Sequence, residues 1–270
     1  MKATIALAAS ALAVVLIPVQ THAQFFREPF SYANGEIGAV SGGTWVPGTG
    51  TPLNINNGQA VINQGDLTGG RERASRAIST PFNTTDNTSA YVAFTATWTA
   101  LPLTVNGSYF VNFSVNTTSD TFFGRIGADT AGAEAGKFRV AVANANWTAA
   151  NSIEFPTDLS LNVAYRIVAK YDMSTRNTTL WINPATEAST SVTATDAPVG
   201  AQLDIAAINL RQGRSASNTG APGVILIDDL AVGSSFGQVA PVPEPATYGV
   251  LFGGGLLAFG WYRRQGRSQA

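Results

Sequence analysis

The chain has 270 residues with no Cys, one His, 12% charged residues and a formal net charge of −1. The one His, His22, lies in a segment that we expect to be removed, so the mature chain lacks the residues for a Ser-His-Asp triad, a Cys nucleophile or a His/Cys zinc site. No basic run suggests nucleic acid as a partner, because Glu72 interrupts the nearest cluster, Arg71 to Arg76.

The N-terminal segment has the three parts of a secretory signal peptide. Lys2 precedes an apolar stretch at 3–19, and the small residue Ala23 stands before Gln24. A short positive region, an apolar stretch and a small residue at the cleavage site are typical of such peptides. We predict that residues 1–23 are a signal peptide cleaved between Ala23 and Gln24. An uncleaved membrane anchor is the alternative, but the apolar stretch is short for one.

The body of the chain, residues 24–239, alternates between apolar and polar residues with a period of two. This period indicates β-strands with one buried face. Clear strands are predicted at Tyr91–Trp98, Tyr109–Asn116, Lys137–Ala143, Val163–Tyr171, Thr178–Asn183, Ile205–Arg211 and Val224–Val232. Pieces rich in Asn, Gly, Pro and Asp separate them as turns. Ten or more short strands predict a single antiparallel β-sandwich, and no fixed repeat supports a β-helix.

The alternation also assigns residues to faces. In the strand from Tyr91 to Trp98, Val92, Phe94 and Trp98 share one face, which we predict to be the core face. In the strand that begins at Tyr109, the same rule places Tyr109 on one face with the apolar residues at 111 and 113.

Several short pieces of the body resemble the laminin-G/concanavalin A-like jelly rolls found in many surface proteins. These pieces are Glu28–Gly35, Gly43–Trp45, Tyr165–Tyr171, Thr179–Pro184 and Ile227–Val232. The resemblance implies a curved antiparallel sandwich whose two chain ends lie close together, with the final strand pairing near the first.

The body offers little for catalysis. Glycoside hydrolysis needs two carboxylates and neither His nor Cys, but no Glu-x-Asp pattern occurs. The one adjacent acidic pair is Asp228-Asp229, and neighbours on a regular strand point to opposite faces. We therefore predict that the protein is not an enzyme and has no cofactor.

Two binding hypotheses stay open. Asp228 and Asp229 could help bind a calcium ion with their oxygens, or one could face water while the other bonds to the backbone. Trp147 lies in an irregular stretch and is the best candidate for a solvent-exposed ring that stacks on a sugar. Its alternative is ordinary packing against the core or a loop.

The C-terminal segment, residues 240–270, has three parts in order. Pro243-Glu244-Pro245, within the motif at 242–245, precedes an apolar stretch at 246–262 and an Arg-rich tail at 263–270 that opens with Arg263 and Arg264. As a helix, the apolar stretch would be about 25 Å long and could just span a thin membrane. The arginines then place the C-terminus in the cytoplasm. An ordinary tail anchor is the alternative.

This arrangement resembles the PEP-CTERM sorting signal of Gram-negative bacteria. The resemblance implies that the precursor is a single-pass protein of the inner membrane, that the transpeptidase exosortase recognises it, and that the helix is removed on the way to the cell surface. It implies routing and no particular activity.

Three functions remain after these predictions. The first is a structural or adhesive component of the envelope or the exopolysaccharide matrix. The second is a lectin-like module that binds a polysaccharide, with calcium as an option, and the third is an unrecognised glycan-active enzyme. Removal of residues 1–23 and 246–270 leaves 12 Lys and Arg against 17 Asp and Glu, a formal charge of −5.

Overall fold

The structure is a computed structural model that describes residues 25–63, 73–86, 88–102, 108–144, 146–196, 200–212 and 223–239. The residues predicted for signal cleavage and sorting lie outside these ranges: Ala23, Gln24, Pro243, Glu244, Pro245, Arg263 and Arg264. The predicted transmembrane segment at 246–262 lies outside them too. Among the described residues, no helix has the length and apolar character needed to cross a membrane.

Within these ranges the chain forms sixteen strands and two short helices. The strands are β1 (Phe26–Glu28), β2 (Gly35–Glu36), β3 (Val46–Pro47), β4 (Asn54–Asn56), β5 (Gln59–Ile62), β6 (Arg73–Phe82), β7 (Ser89–Ala100), β8 (Ser108–Ser114), β9 (Phe122–Asp129), β10 (Arg139–Ala143), β11 (Ile153–Glu154), β12 (Ala164–Asp172), β13 (Thr178–Ile182), β14 (Val192–Ala194), β15 (Ile205–Arg211) and β16 (Val224–Gly233). The helices are α1 (Ile37–Val40) and α2 (Phe236–Val239).

The strands form two antiparallel sheets. Sheet A has nine strands in the order β14-β13-β12-β7-β16-β5-β4-β2, with β1 also paired to β16. Sheet B has seven strands in the order β11-β10-β9-β8-β15-β6-β3. The predicted all-β sandwich of two antiparallel sheets is therefore confirmed.

The first and last strands of the sandwich pair directly. Phe26 lies opposite Val232, and Glu28 lies opposite Leu230, in an antiparallel ladder between β1 and β16. This pairing confirms that the final strand lies beside the first, and it brings the two ends of the described body together.

The core lies between the two sheets. On β7, Val92, Phe94 and Trp98 are fully buried and face sheet B, as the alternation predicts. The Trp98 ring lies 4.7 Å from that of Phe138, which comes from the other sheet. Burying side chains of this size contributes about 2 kcal/mol each, so a large core can replace disulfides as the source of stability.

A buried carboxylate joins β1 to the rest of the sandwich. Glu28 accepts hydrogen bonds from the Phe30 amide at 2.9 Å and the Tyr32 hydroxyl at 2.8 Å. It also accepts from the Trp45 indole at 2.9 Å and from the Arg76 guanidinium at 2.5 Å. These four donors satisfy a side chain that is only 2% exposed.

The α2 patch is an apolar cluster on the outer face of sheet A. It comprises Tyr91, Ala93, Val168, Trp181, Ala231, Phe236 and Val239. Phe236 packs edge-on against Trp181 at 5.8 Å between ring centroids. Arg166 donates to the Val239 carbonyl at 2.9 Å, so the end of the helix is held by packing and by a charged hydrogen bond.

The seven predicted strands all occur, with ends that differ by at most two residues. β6 and β9 are among the longer strands, but the sequence pattern does not predict them. β6 reads Arg-Ala-Ser-Arg-Ala-Ile-Ser-Thr-Pro-Phe, and β9 contains two Gly and an Arg, so neither alternates cleanly. Their pairing partners on sheet B override the weak local pattern.

The prediction that Tyr109 shares a strand face with Val111 and Phe113 is wrong. The β8–β9 register shifts between Tyr109 and Val111, and this irregularity breaks the simple alternation. Phe110 therefore enters the core, where it meets Phe94 and Trp98, while Tyr109 lies on the outer face of sheet B.

Candidate functional site

A cleft of about 440 Å³ lies on the outer face of sheet B. We call it the Tyr109 cleft, and its lining residues are Gly48, Thr49, Arg73, Tyr109, Thr118, Asp120, Phe122 and Arg211. Arg73 on β6 is paired directly with Arg211 on β15. Directly opposed residues project from the same face of a sheet, so both arginines reach the cleft.

Tyr109 is surrounded by aromatic and cationic groups. The Arg211 guanidinium carbon lies 4.2 Å from the centroid of the Tyr109 ring, and that of Arg125 lies 5.3 Å away. The Phe122 ring is 6.2 Å away, and Arg73 lies over Phe122 at 5.2 Å. These distances fall within the range of cation–π attraction, which fixes the rings and the guanidiniums relative to each other.

Hydrogen bonds hold the two arginines that flank Tyr109. Arg211 donates from Nη1 to the Ser108 hydroxyl at 2.9 Å and to the Tyr109 carbonyl at 3.3 Å. Arg125 donates from Nη1 to the Asn144 carbonyl at 2.7 Å. Burial lowers the pKa of Arg125, opposed by the nearby Tyr109 and Asp196. Among the described residues, no carboxylate lies within ion-pair distance of Arg125.

One carboxylate stands at the rim of the cleft. Asp120 pairs with Arg73 at 2.7 Å, and its side chain is 91% exposed. The Asn116 side chain shapes the loop before it, because Asn116 Oδ1 accepts from the amides of Thr118 and Ser119 at 2.9 and 2.8 Å. Arg73 also donates to the Ser119 carbonyl at 3.0 Å, so the same arginine fixes the loop and the carboxylate.

Buried polar side chains lie beside the cleft on the same face of sheet B. The Ser75 hydroxyl donates to Asn209 Oδ1 at 2.6 Å, and Asn209 donates to the Asn112 carbonyl at 3.4 Å. Asn112 Oδ1 has no hydrogen-bond partner among the described residues, although the side chain is fully buried. This face is therefore polar where the opposite face of the same strands is core.

The structure places the predicted sugar-stacking residue Trp147 next to this site but outside the cleft lining. Its ring is half-buried and lies 6.3 Å from that of Tyr109. A Cβ atom on Gly127 would come within 2.3 Å of Trp147 Cη2, so the ring packs directly against the glycine on β9. Trp45, Trp98 and Trp181 are buried, which leaves Trp147 as the most exposed tryptophan that the structure describes.

No pattern in the sequence marks Tyr109, Phe122, Arg125 or Arg211 as a site residue. Each occurs within a strand and resembles an ordinary strand residue. A usable signal does exist, because an Arg inside an otherwise apolar strand must find a polar environment or a ligand. Arg125 in Phe-Phe-Gly-Arg-Ile-Gly-Ala-Asp is such a residue.

The Asp228-Asp229 pair has other partners than calcium. Asp229 forms ion pairs with Arg27 at 2.8 Å and with Arg166 at 3.1 Å. Asp228 Oδ1 accepts the Asp229 amide at 2.7 Å, and burial raises the pKa of Asp228. Asp229 has a φ of 49° at an irregularity in the β16–β7 ladder. The guanidiniums of Arg27 and Arg166 already neutralise the Asp229 carboxylate. The Asp228-Asp229 pair therefore does not fit a cation site.

Side-chain clusters elsewhere among the described residues give no support to a calcium site away from Asp228 and Asp229. In the part of the chain that the structure describes, no group of three or more His, Cys, Asp or Glu is arranged to hold a metal ion. The calcium hypothesis stays a prediction without a coordinating geometry.

A second acidic group lies on β9 away from the cleft lining. Asp129 is 3% exposed, and burial raises its pKa to about 7, with a further rise from Glu154. The Ala131 amide, at 2.9 Å, and Arg139 oppose that rise. Arg139 in turn pairs with Asp158 at 2.7 Å and Glu154 at 3.4 Å. Arg139 therefore links β10 to Glu154 on β11 and to Asp158, whereas Asp129 bonds to the turn that follows β9.

Comparison with known proteins finds structures of similar fold at low identity. The CBM2 module of the evolved Dit protein of Lactobacillus casei BL23 phage J-1 is 9% identical, with a TM-score of 0.46 over 77% of this chain and 94% of the module. The seed lectin of Lotus tetragonolobus is 9% identical, with a TM-score of 0.44 over 77% of this chain and 96% of the lectin.

A sialidase is 11% identical, with a TM-score of 0.45 over 78% of this chain, and this chain spans only 19% of that protein's length. These TM-scores are too low to assign a ligand or an activity. No curated protein matches the chain.

The C-terminal segment gives the specific match. Residues 241–264 match the model of the PEP-CTERM protein-sorting motif, as the sequence predicts. That motif implies export, a membrane-anchored precursor and exosortase as the processing enzyme. The chain therefore carries a PEP-CTERM sorting motif that follows a two-sheet antiparallel β-sandwich in the sequence.

Proposed function

We propose that this protein is displayed at the cell surface or in the extracellular matrix and binds a polysaccharide through the Tyr109 cleft. Its role there is adhesive or structural. The observation that carries the proposal is the arrangement around Tyr109, where two aromatic rings and three guanidiniums meet at a cleft beside a polar sheet face.

The chemistry of the cleft suits a sugar. A sugar ring presents an apolar face that packs on aromatic rings, and hydroxyls that need hydrogen-bond partners. Tyr109 and Phe122 provide the rings, and Arg73 and Arg211 provide donors in a fixed geometry. Sites of this kind combine an apolar surface with a few well-placed polar groups.

The position of the cleft suits display on a tether. The α2 patch holds Val239 on the outer face of sheet A, and the matched sorting motif begins two residues later. The cleft is on the outer face of sheet B. A body attached through its C-terminal end would therefore present the cleft on the side of the sandwich opposite the attachment.

We also propose that the protein has no catalytic activity. Glycoside hydrolysis needs a pair of carboxylates that flank the bond. Asp120 is the one carboxylate among the cleft residues that the structure describes, and Arg73 already binds it. Release of reducing ends from a polysaccharide panel by the purified protein would contradict this part of the proposal.

The binding function is tested by measuring the affinity of the purified protein for a panel of neutral and acidic polysaccharides. Tyr109→Ala is expected to lose at least about tenfold in affinity, since stacked aromatic contacts dominate such sites. Tyr165→Ala is the matched control, because Tyr165 is also half-buried but lies on sheet A. Equal affinity in both variants, or no binding to any polysaccharide, would reject the cleft as a sugar site.

The sorting function is tested by intact-mass measurement. The mature protein is expected to lack residues 246–270 in a strain that has exosortase and to keep them when that enzyme is deleted. The full tail in both strains would reject processing by exosortase.

A further inference from the structure

We infer that the ligand of the Tyr109 cleft is an acidic polysaccharide, whose anionic groups are bound by Arg73 and Arg211. This inference rests on the proposed function and specifies its ligand class. Its basis is the balance of charges at the cleft, the grouping of guanidiniums around Tyr109, and the exposed carboxylate that is paired with Arg73.

The charge balance at the cleft opposes that of the whole body. The mature chain expected after both cleavages, residues 24–245, carries a formal charge of −5. Among its described lining residues, the cleft nevertheless has two arginines and one carboxylate, and Arg125 is a third cation next to Tyr109. A local positive field on an acidic protein attracts an anionic group to this face and repels it elsewhere.

Two guanidiniums approach the same ring. Arg211 and Arg125 lie 4.2 and 5.3 Å from the centroid of Tyr109, and both side chains are largely buried. Opposite charges attract more strongly where burial shields them from water. An anionic group bound in the cleft would gain this attraction to the guanidiniums beside Tyr109, whereas a neutral sugar would not. The buried cations therefore favour an anionic ligand over a neutral one.

Asp120 shows how a ligand carboxylate would bind. It contacts Arg73 at 2.7 Å, the distance of a strong charge-assisted hydrogen bond. Its side chain is almost fully in water, so this ion pair contributes little and can be exchanged at low cost. A carboxylate or sulfate on a sugar can replace Asp120 at Arg73 while its ring packs on Tyr109 and Phe122.

The experiment compares three polymers and three variants. The polymers are polygalacturonate, with carboxylates, dextran sulfate, with sulfates, and dextran, which is neutral. We expect the protein to bind one or both acidic polymers at least about tenfold more tightly than dextran, and more weakly as salt rises. The difference in affinity between polygalacturonate and dextran sulfate identifies which anionic group the cleft prefers.

The two cleft variants are expected to change the affinity for the acidic polymer in opposite directions. Arg211→Gln is expected to weaken binding of the acidic polymer by about tenfold or more, since it removes a charged hydrogen-bond donor. Asp120→Asn is expected to strengthen it several-fold, because it frees Arg73 and removes a negative charge. Lys137→Gln, which removes a cation outside the cleft lining, is the matched control and is expected to leave binding unchanged.

The outcomes separate the two proposals. Equal binding to dextran and to the acidic polymers, or unchanged binding in Asp120→Asn, overturns the anionic ligand and leaves a neutral-sugar site standing. Absence of binding to all polysaccharides rejects the proposed function itself. Asp120→Asn keeps the test decisive if Arg211→Gln does not fold, because Asp120 is exposed and pairs only at the rim.

Discussion

Two arginine–carboxylate pairs on this sandwich differ in what surrounds them. Arg76 meets Glu28 at 2.5 Å, where the carboxylate is 2% exposed and has three further donors. Arg73 meets Asp120 at 2.7 Å, where the carboxylate is 91% exposed. The first pair cannot be replaced without leaving buried groups unsatisfied, whereas water or a ligand can replace the second. The same two functional groups therefore stabilise the fold at one place and form an exchangeable surface pair at the other.

Burial and the number of hydrogen-bond donors together decide the role of each carboxylate in this sandwich. Asp129 is the intermediate case. It is as buried as Glu28, but it accepts one amide hydrogen bond in place of four donors, and its pKa rises to about 7. Substitutions at these three carboxylates should therefore differ in size and in pH dependence.

The largest effect is expected for Glu28→Gln. The variant removes the charge that balances Arg76 and disturbs the bonds to Tyr32 and Trp45, at a cost of about 3 kcal/mol in the free energy of unfolding. Urea denaturation measures it. The control Glu154→Gln breaks a partly exposed pair with Arg139 and should cost less than about 1 kcal/mol. Equal losses would show that burial does not separate the two pairs.

A smaller effect with a defined pH dependence is expected at Asp129. The unfolded chain loses this proton above about pH 4, whereas the folded chain keeps it to about pH 7. Stability contributed by the protonated form is therefore lost as pH rises from about 4 to about 7. Asp129→Asn should shrink the fall in Tm between pH 5 and pH 8 by about 3 °C.

Asp86→Asn, which removes an exposed carboxylate in a turn, is the control for the loss of a charge at Asp129. It should keep the fall in Tm that the unmodified protein has. A fall of the same size in the Asp129 variant would show that Asp129 does not titrate in this range.

The smallest effect on stability is expected for Asp120→Asn. Because its ion pair is exposed, the free energy of unfolding should change by less than about 0.5 kcal/mol. Thermal or urea denaturation measures it alongside the binding assay. A loss comparable with that of Glu28→Gln would place Asp120 among the residues that hold the fold and would remove it as an exchangeable group.

Much of the architecture follows from the sequence because alternation is strong where one face is buried. β7, β10 and β16 show this clearly, since their apolar residues point to a common core. β6 and β9 are not predicted because polar residues and glycines interrupt their alternation. Pairing with neighbouring strands in sheet B stabilises them as strands. Local pattern predicts a strand well only where the strand's own residues carry its stability.

The site was harder to predict than the fold for a geometric reason. A shift of register in β8 turns Tyr109 outward, and no local residue pattern reports such a shift. Arg73, Arg125 and Arg211 are distant in sequence and meet only because β6, β9 and β15 belong to one sheet. Of the candidate ligand residues predicted from the sequence, Trp147 lies nearest to the cleft, with its ring beside Tyr109 and outside the lining.

The pairing of β16 has a mechanical consequence for a tethered body. Any force that pulls on the chain beyond Val239 must first peel α2 from Trp181 and break the bond from Arg166. The load then reaches β16, which is held by β7 along one edge and by β5 and β1 along the other. An interior strand with partners on both sides cannot be unzipped alone, so the tether pulls against the whole of sheet A.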